Sequence, residues 1–203
     1  MGTKKVPVTG TRSFYSYAHL RLMAWNAYET AEKHEDGRYP HCMSVVVFCA
    51  FTLEGYLNHI GVRRMRDWDI LERKLSWREK LELIGRELKT TFNTDKKPFK
   101  SMAEAFAFRN RLAHGKSVID EEFSGEHTLG HHAEDSYLDP DWLKEYQSLE
   151  KAKAMLADME SALIQLQLAA DLELEPLGLR AEGQAEGPAS SDLKLVQALR
   201  ATA

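Results

Sequence analysis

The stretch Asp141–Glu173, "DWLKEYQSLEKAKAMLADMESALIQLQLAADLE", decides the fold. Its apolar residues Leu149, Ala152, Leu156, Met159, Leu163, Leu166 and Ala170 follow one another at intervals of three, four, three, four, three and four. A strand turns every second residue to one side, whereas a helix, at about 100° per residue, gathers the third and fourth onto one stripe. The stretch therefore predicts a long helix whose near-heptad seam packs on a bundle or on a partner helix. No segment elsewhere alternates convincingly at two, so the chain reads as all-α, an up-and-down bundle of about four to five helices.

Working outward, a first helix is expected from about Arg12 to Lys33, with Tyr17, Leu20, Ala24, Ala27, Tyr28 and Ala31 inside, until "EDGRYP" breaks it. A second, from about His41 to Arg64, is the most apolar and takes the central place. The tetrapeptides "SWRE" and "SMAE" match the capping box, in which a serine hydroxyl and a glutamate carboxylate satisfy free backbone amides, so helices are expected after Ser76 and Ser101. Between them "TTFNTDKKP" is a loop, and Gly115 stops the later helix. Residues 116–140, polar and glycine-containing, form a long insertion before the last helix. The domain organisation follows: a flexible N-terminus at 1–11, a helical domain at 12–175, and at 176–203 a linker ending in the short amphipathic "DLKLVQALR".

With 203 residues, 43% of them hydrophobic, the chain suffices for one packed domain and a loosely attached end. No stretch approaches the roughly 18 uncharged apolar residues of a bilayer span, and "MGTKKVPVTGTRSF" lacks an apolar signal core, so a soluble cytoplasmic protein with no membrane partner is expected. Cys42 and Cys49, seven residues apart in "HCMSVVVFCAF", fall on one side of a helix and read as two buried reduced thiols rather than a disulfide or metal pair. The net charge of −4 is unevenly spread. Residues 61–100 carry 12 Lys/Arg against 7 Asp/Glu, and residues 120–160 carry 3 against 12. That pattern suits a basic face for a polyanion, or equally a solvated helix surface.

The stretch "FAFRNRLAHGK", Phe106–Lys116, bears on function. On a helical wheel Met102, Ala105, Phe106, Phe108, Leu112 and Ala113 share a broad apolar side, with Arg109 in its middle. A guanidinium held against a core must find a partner, because it cannot deprotonate there. In the central helix Glu54 sits on an inner stripe with Met43, Val46, Val47, Ala50 and Leu57, and Asn58 follows one turn later. The expectation is a Glu54–Arg109 pair inside the bundle, against the alternative that the charges snorkel to solvent. Ala103, Ala107, Asn110 and His114 share another face, a small-residue groove, while Arg111 points toward solvent. Arg109 and His114, five residues apart, lie about 140° from one another, so their convergence calls for a second protomer.

Arg109, Asn110, three residues and then His114 spell R-N-x-x-x-H, and here the sequence resembles the HEPN superfamily (higher eukaryotes and prokaryotes nucleotide-binding domains). Upstream, "FTLEGYLNHI" resembles the glutamate- and asparagine-bearing helix that often precedes the motif there. The resemblance spans roughly residues 12–174, and neither the insertion nor the tail has a counterpart in it. It implies a homodimer with the motif of both subunits at the interface and, in many members, metal-independent RNA cleavage by toxins or phage-defence proteins. Arg109, Asn110 and His114 would be catalytic, with Glu54 and Asn58 in support. Other members bind nucleotides or are inactive scaffolds.

The chemistry suits these residue types in its own right. RNA supplies its 2′-hydroxyl as nucleophile, so the protein needs a base of near-neutral pKa, a proton donor and positive charge for the phosphorane. His114 fits the first two roles and Arg109 the third, with Asn110 orienting either phosphate or histidine. Arg63, Arg64, Arg111 and Lys116 are candidate RNA-binding residues, with Arg66, Lys96, Lys97 and Lys100 nearby in the basic segment. Trp68 and Trp77 either stack on bases or, as the preferred reading, pack between helices. The run "GEHTLGHHAED", with His127, His131 and His132, matches no defined metal spacing and reads as a solvated loop. Neither GxxxxGK[ST] nor GxGxxG occurs, and no cofactor or metal is expected. The expectation is thus a metal-independent endoribonuclease with RNA, a second copy and a neutralising protein as partners. The alternative is a non-catalytic HEPN-like dimeric module that binds a nucleotide or a partner protein.

Overall fold

A computed structural model describes residues 14–115 and 140–172. Every regular element among them is helical, as the periodicity requires. The order is α1 (Ser16–Lys33), α2 (Arg38–Arg64), α3 (Trp68–Leu71), α4 (Trp77–Glu87), α5 (Phe99–His114), α6 (Asp141–Lys144) and α7 (Leu149–Ala170). Lys116, the histidine run, and the expected termini at 1–11 and 176–203 lie outside the described residues.

The central helix is α2, which packs against α1, α4, α5 and α7 and contributes Val45, Val46, Cys49, Ala50, Leu53, Leu57 and Ile60 to the core. Gly37, at φ +70°, makes the turn from α1 into α2, a backbone conformation that costs glycine nothing. The two helices then run antiparallel, since Tyr17, near the start of α1, meets Tyr56 and His59, near the end of α2. An 18-residue window within α2 reaches a mean hydropathy of 1.4, enough by length and composition alone for a membrane span, a test that the core helix of a bundle also passes. The helices packed around it account for that apolar character here. Both cysteines are free and buried in it.

Two ends are closed by side chains. Arg64 donates to the carbonyls of Ala170 and Asp171, satisfying the C-terminus of α7 where no further turn can. The Ser76 box forms as expected, with the Glu79 amide on the serine hydroxyl and the Ser76 amide on the Glu79 carboxylate. The Ser101 box does not form. The helix begins two residues earlier, at Phe99, and the buried Ser101 hydroxyl donates to Asp158 on α7. The stretch Asp141–Glu173 is likewise not one helix. Ser148 accepts the Lys151 amide at 3.1 Å and starts α7 afresh after the single turn of α6.

Both candidate base-stacking tryptophans are packed away. Trp68 lies flat on Gly61, where a Cβ would come within 2.1 Å of the indole, so only glycine allows the approach. Trp77 stacks on Phe106 at 4.5 Å between centroids. A charged clamp joins α1 to α7: Glu160 accepts from Arg21 Nε at 2.6 Å and from Trp25 Nε1 at 2.8 Å. Such a pair adds little stability over an apolar core but penalises other registers.

Candidate functional site

Where α5 crosses α2, Arg109 Nη1 donates to Glu54 Oε2 at 2.7 Å. The side chains are 21% and 30% exposed, so the pair lies at the rim of the core rather than in bulk solvent. This is the contact expected from two charges on apolar stripes. The helices bring a third charge that the sequence reading missed. Lys80 of α4, whose side chain is only 3% exposed, donates from Nζ to the other oxygen, Glu54 Oε1, at 3.2 Å. Its signal was legible: Lys80 shares the buried face of α4 with Trp77, Leu81 and Ile84, at the spacing of a core position.

Burial pushes the Glu54 carboxyl up, but the hydrogen bond from Arg109 and the charge and hydrogen bond of Lys80 outweigh it, so the pKa falls below the usual carboxylate value. Glu54 is therefore an ionised anchor between two cations. Its role is to hold Arg109, not to exchange protons near neutral pH.

Arg109 is fixed from the other side as well. Its Nε and Nη2 both donate to Asn110 Oδ1, at 3.2 and 2.9 Å. Its Cζ lies 5.0 Å from the Phe106 ring centroid and 5.2 Å from that of Phe51. With hydrogen bonds on two sides and two aromatic rings close to its Cζ, the guanidinium is confined to one rotamer. Asn110 thus contacts the arginine, while His114, the last residue of α5, stands exposed at the helix end. Because α5 runs unbroken through both, Arg109 and His114 keep their separation of about 140° around the axis and about 7.5 Å along it.

The remaining expectations divide. Asn58 is half-buried, and its Oδ1 is buried without a hydrogen-bond partner among the described residues, so it does not join the Glu54 network. Arg64 is engaged on the end of α7, which makes it a capping residue first. Arg111 is exposed but lies over Trp142, its Cζ 4.2 Å from the ring centroid. Arg63 is exposed near the end of α2. Leu112 and Ala113, expected inside, are exposed, because the covered face of α5 ends at Phe108. Ala107 and Asn110 are exposed too and Ala103 is half-buried, so the small-residue face with His114 opens to the surface. Among the described residues no group of three or more His, Cys, Asp or Glu is placed to hold a metal ion.

The arrangement offers an immobilised guanidinium, an amide beside it and a solvent-reachable imidazole on one helix, groups of the types that can hold a phosphate and move a proton. Comparison with family models, with curated proteins and with solved structures found no match, so the reading of this site rests on its own geometry.

Proposed function

We propose that the chain is a metal-independent endoribonuclease of HEPN type, acting as a homodimer. The observation that carries the reading is the double restraint on Arg109 by Glu54 and Asn110, little more than one helical turn before an exposed His114. A guanidinium whose orientation is set before the substrate arrives needs no reorganisation when negative charge develops on a phosphorane. In the reaction one His114 takes the proton of the ribose 2′-hydroxyl, whose oxygen attacks the adjacent phosphorus. The bond from phosphorus to the 5′-oxygen breaks, and the His114 of the second copy protonates that leaving oxygen. The products are a 2′,3′-cyclic phosphate and a 5′-hydroxyl end. Toxin or phage-defence roles, and a neutralising partner, belong to the same proposal.

One observation favours the second reading, a non-catalytic dimeric module that binds a nucleotide or a partner protein. The contacts of Arg109 are also those of a helix-register lock. Mixed RNA incubated in EDTA with the protein and with its His114→Ala form separates the two. Cleavage by the parent alone, leaving cyclic phosphate ends, supports the enzyme. Intact RNA with both refutes it in favour of the module.

A further inference from the structure

Phe51 is the ring of the candidate site that reaches solvent. It lies in the middle of α2, whose large apolar residues are otherwise mostly turned inward, yet it is 37% exposed. It precedes Glu54 by one turn, and the Arg109 Cζ lies 5.2 Å from its ring centroid. Arg109 therefore has one ring, Phe106, wholly buried and stacked on Trp77, and a second, Phe51, partly open to solvent. The packed ring explains how the guanidinium is held. The other lies beside the fixed cation where the candidate site reaches the surface, so part of its face can meet a ligand that Arg109 holds.

Resting on the ribonuclease reading, we infer that Phe51 is a stacking platform for one unpaired base of the RNA, seated while Arg109 holds the neighbouring phosphate. A base has a π-face whatever its sequence, so an exposed ring beside a fixed cation selects single-stranded or looped RNA over duplex without reading its letters. The duplex keeps its bases stacked on one another and offers the ring nothing. The charge at the site itself, Arg109 and Lys80 against the single carboxylate of Glu54, favours an anionic partner over a neutral or cationic one. Phe51 is thereby a specificity-determining residue that acts on binding, not on proton transfer.

The test uses the full chain carrying His114→Ala, so that RNA stays intact, in EDTA at low salt. Anisotropy of a fluorescent single-stranded oligonucleotide and of the same sequence as a blunt duplex is read for this parent and for Phe51→Leu and Phe51→Trp in it. Loss of one stacked base predicts single-strand binding weakened by about tenfold in Phe51→Leu, retained or tightened in Phe51→Trp, and duplex binding unchanged in both. Sedimentation and melting check that assembly and fold are unaltered. Equal single-strand binding by Phe51→Leu and its parent overturns the platform and leaves the ribonuclease reading standing if the wild type still cuts RNA. Equal losses on single strand and duplex, or a changed oligomeric state, overturn it in favour of a general or an intersubunit contact. A parent that binds neither RNA, with a wild type that cuts none, overturns both.

Discussion

Replacing Glu54 with Gln removes one negative charge and little volume, leaving two cations without their shared partner. Breaking a buried pair from one side costs roughly 3–5 kcal/mol, because the surviving charge stays desolvated. Arg109, at 21% exposed, can turn partly to water and reduce that figure, whereas Lys80, at 3%, cannot. The net cost is therefore about 2–3 kcal/mol, a fall in Tm of about 6–9 °C for a domain of this size. Thermal melting followed by circular dichroism at pH 7 reads it. The cause is isolated by Lys80→Met, which replaces the buried ammonium with an apolar chain of similar length. The double variant should lose clearly less than the two single losses combined, because the substituted amide then faces one cation instead of two. The pH dependence has a fixed sign. With its folded pKa lowered, Glu54 stabilises the fold above its unfolded value of about 4.3, and this is lost as pH falls through the lower folded value. The gap between wild type and Glu54→Gln should persist from pH 7 to about 5, begin to narrow near the unfolded value of about 4.3, and close as pH falls through the lower folded value. A variant melting within a degree of wild type at pH 7, or a gap that widens in acid, refutes the anchoring role.

Two further outcomes test the packing around the site. Gly61→Ala drives a methyl group into the Trp68 indole, where a Cβ would sit 2.1 Å from the ring, and should cost about 3 kcal/mol in urea unfolding; a change under about 0.5 kcal/mol would mean that the loop after α2 is not held as described. Burial first, then the charge of Glu160, raise the Cys49 thiol well above its ordinary pKa, and Cys42 is also raised by burial, so neither should react with a thiol reagent at pH 8 until denaturant unfolds the chain; prompt labelling of the native protein contradicts the buried α2.

The parts of the fold that were legible in the sequence are those set by local periodicity. Charges on apolar stripes marked Glu54 and Arg109 before any contact was known, and the same rule would have marked Lys80 had α4 been read position by position. What failed was decided by tertiary partners. "SMAE" has the letters of a capping box, but Ser101 lies within reach of Asp158, 57 residues away, and Lys151 takes Glu104 at 3.1 Å, so both groups that would have formed the cap are engaged elsewhere. The apolar stripe of α7 looked continuous back to Asp141, and only the hydroxyl of Ser148 reveals where the helix restarts. A wheel likewise assigns Leu112 to a face without telling how far neighbouring helices extend along it.

On the ribonuclease reading, the same contacts let one arginine serve both the fold and a phosphate. A guanidinium has five N–H groups, of which Nε, one on Nη1 and one on Nη2 are given to Glu54 and Asn110, leaving one on each terminal nitrogen. On the ribonuclease reading these are the donors left to meet phosphate oxygens, while the inner contacts fix the guanidinium's direction. Charge is the harder requirement, since a carboxylate at 2.7 Å by itself cancels the arginine. Lys80 restores the balance: two formal positive charges against one leave the cluster with an excess of one, held where water competes poorly. On the ribonuclease reading, Lys80→Met should therefore leave the fold standing but weaken RNA binding by the His114→Ala protein, because it makes the Glu54–Arg109 unit neutral. Undiminished binding would show that the phosphate draws its counter-charge from elsewhere on the surface.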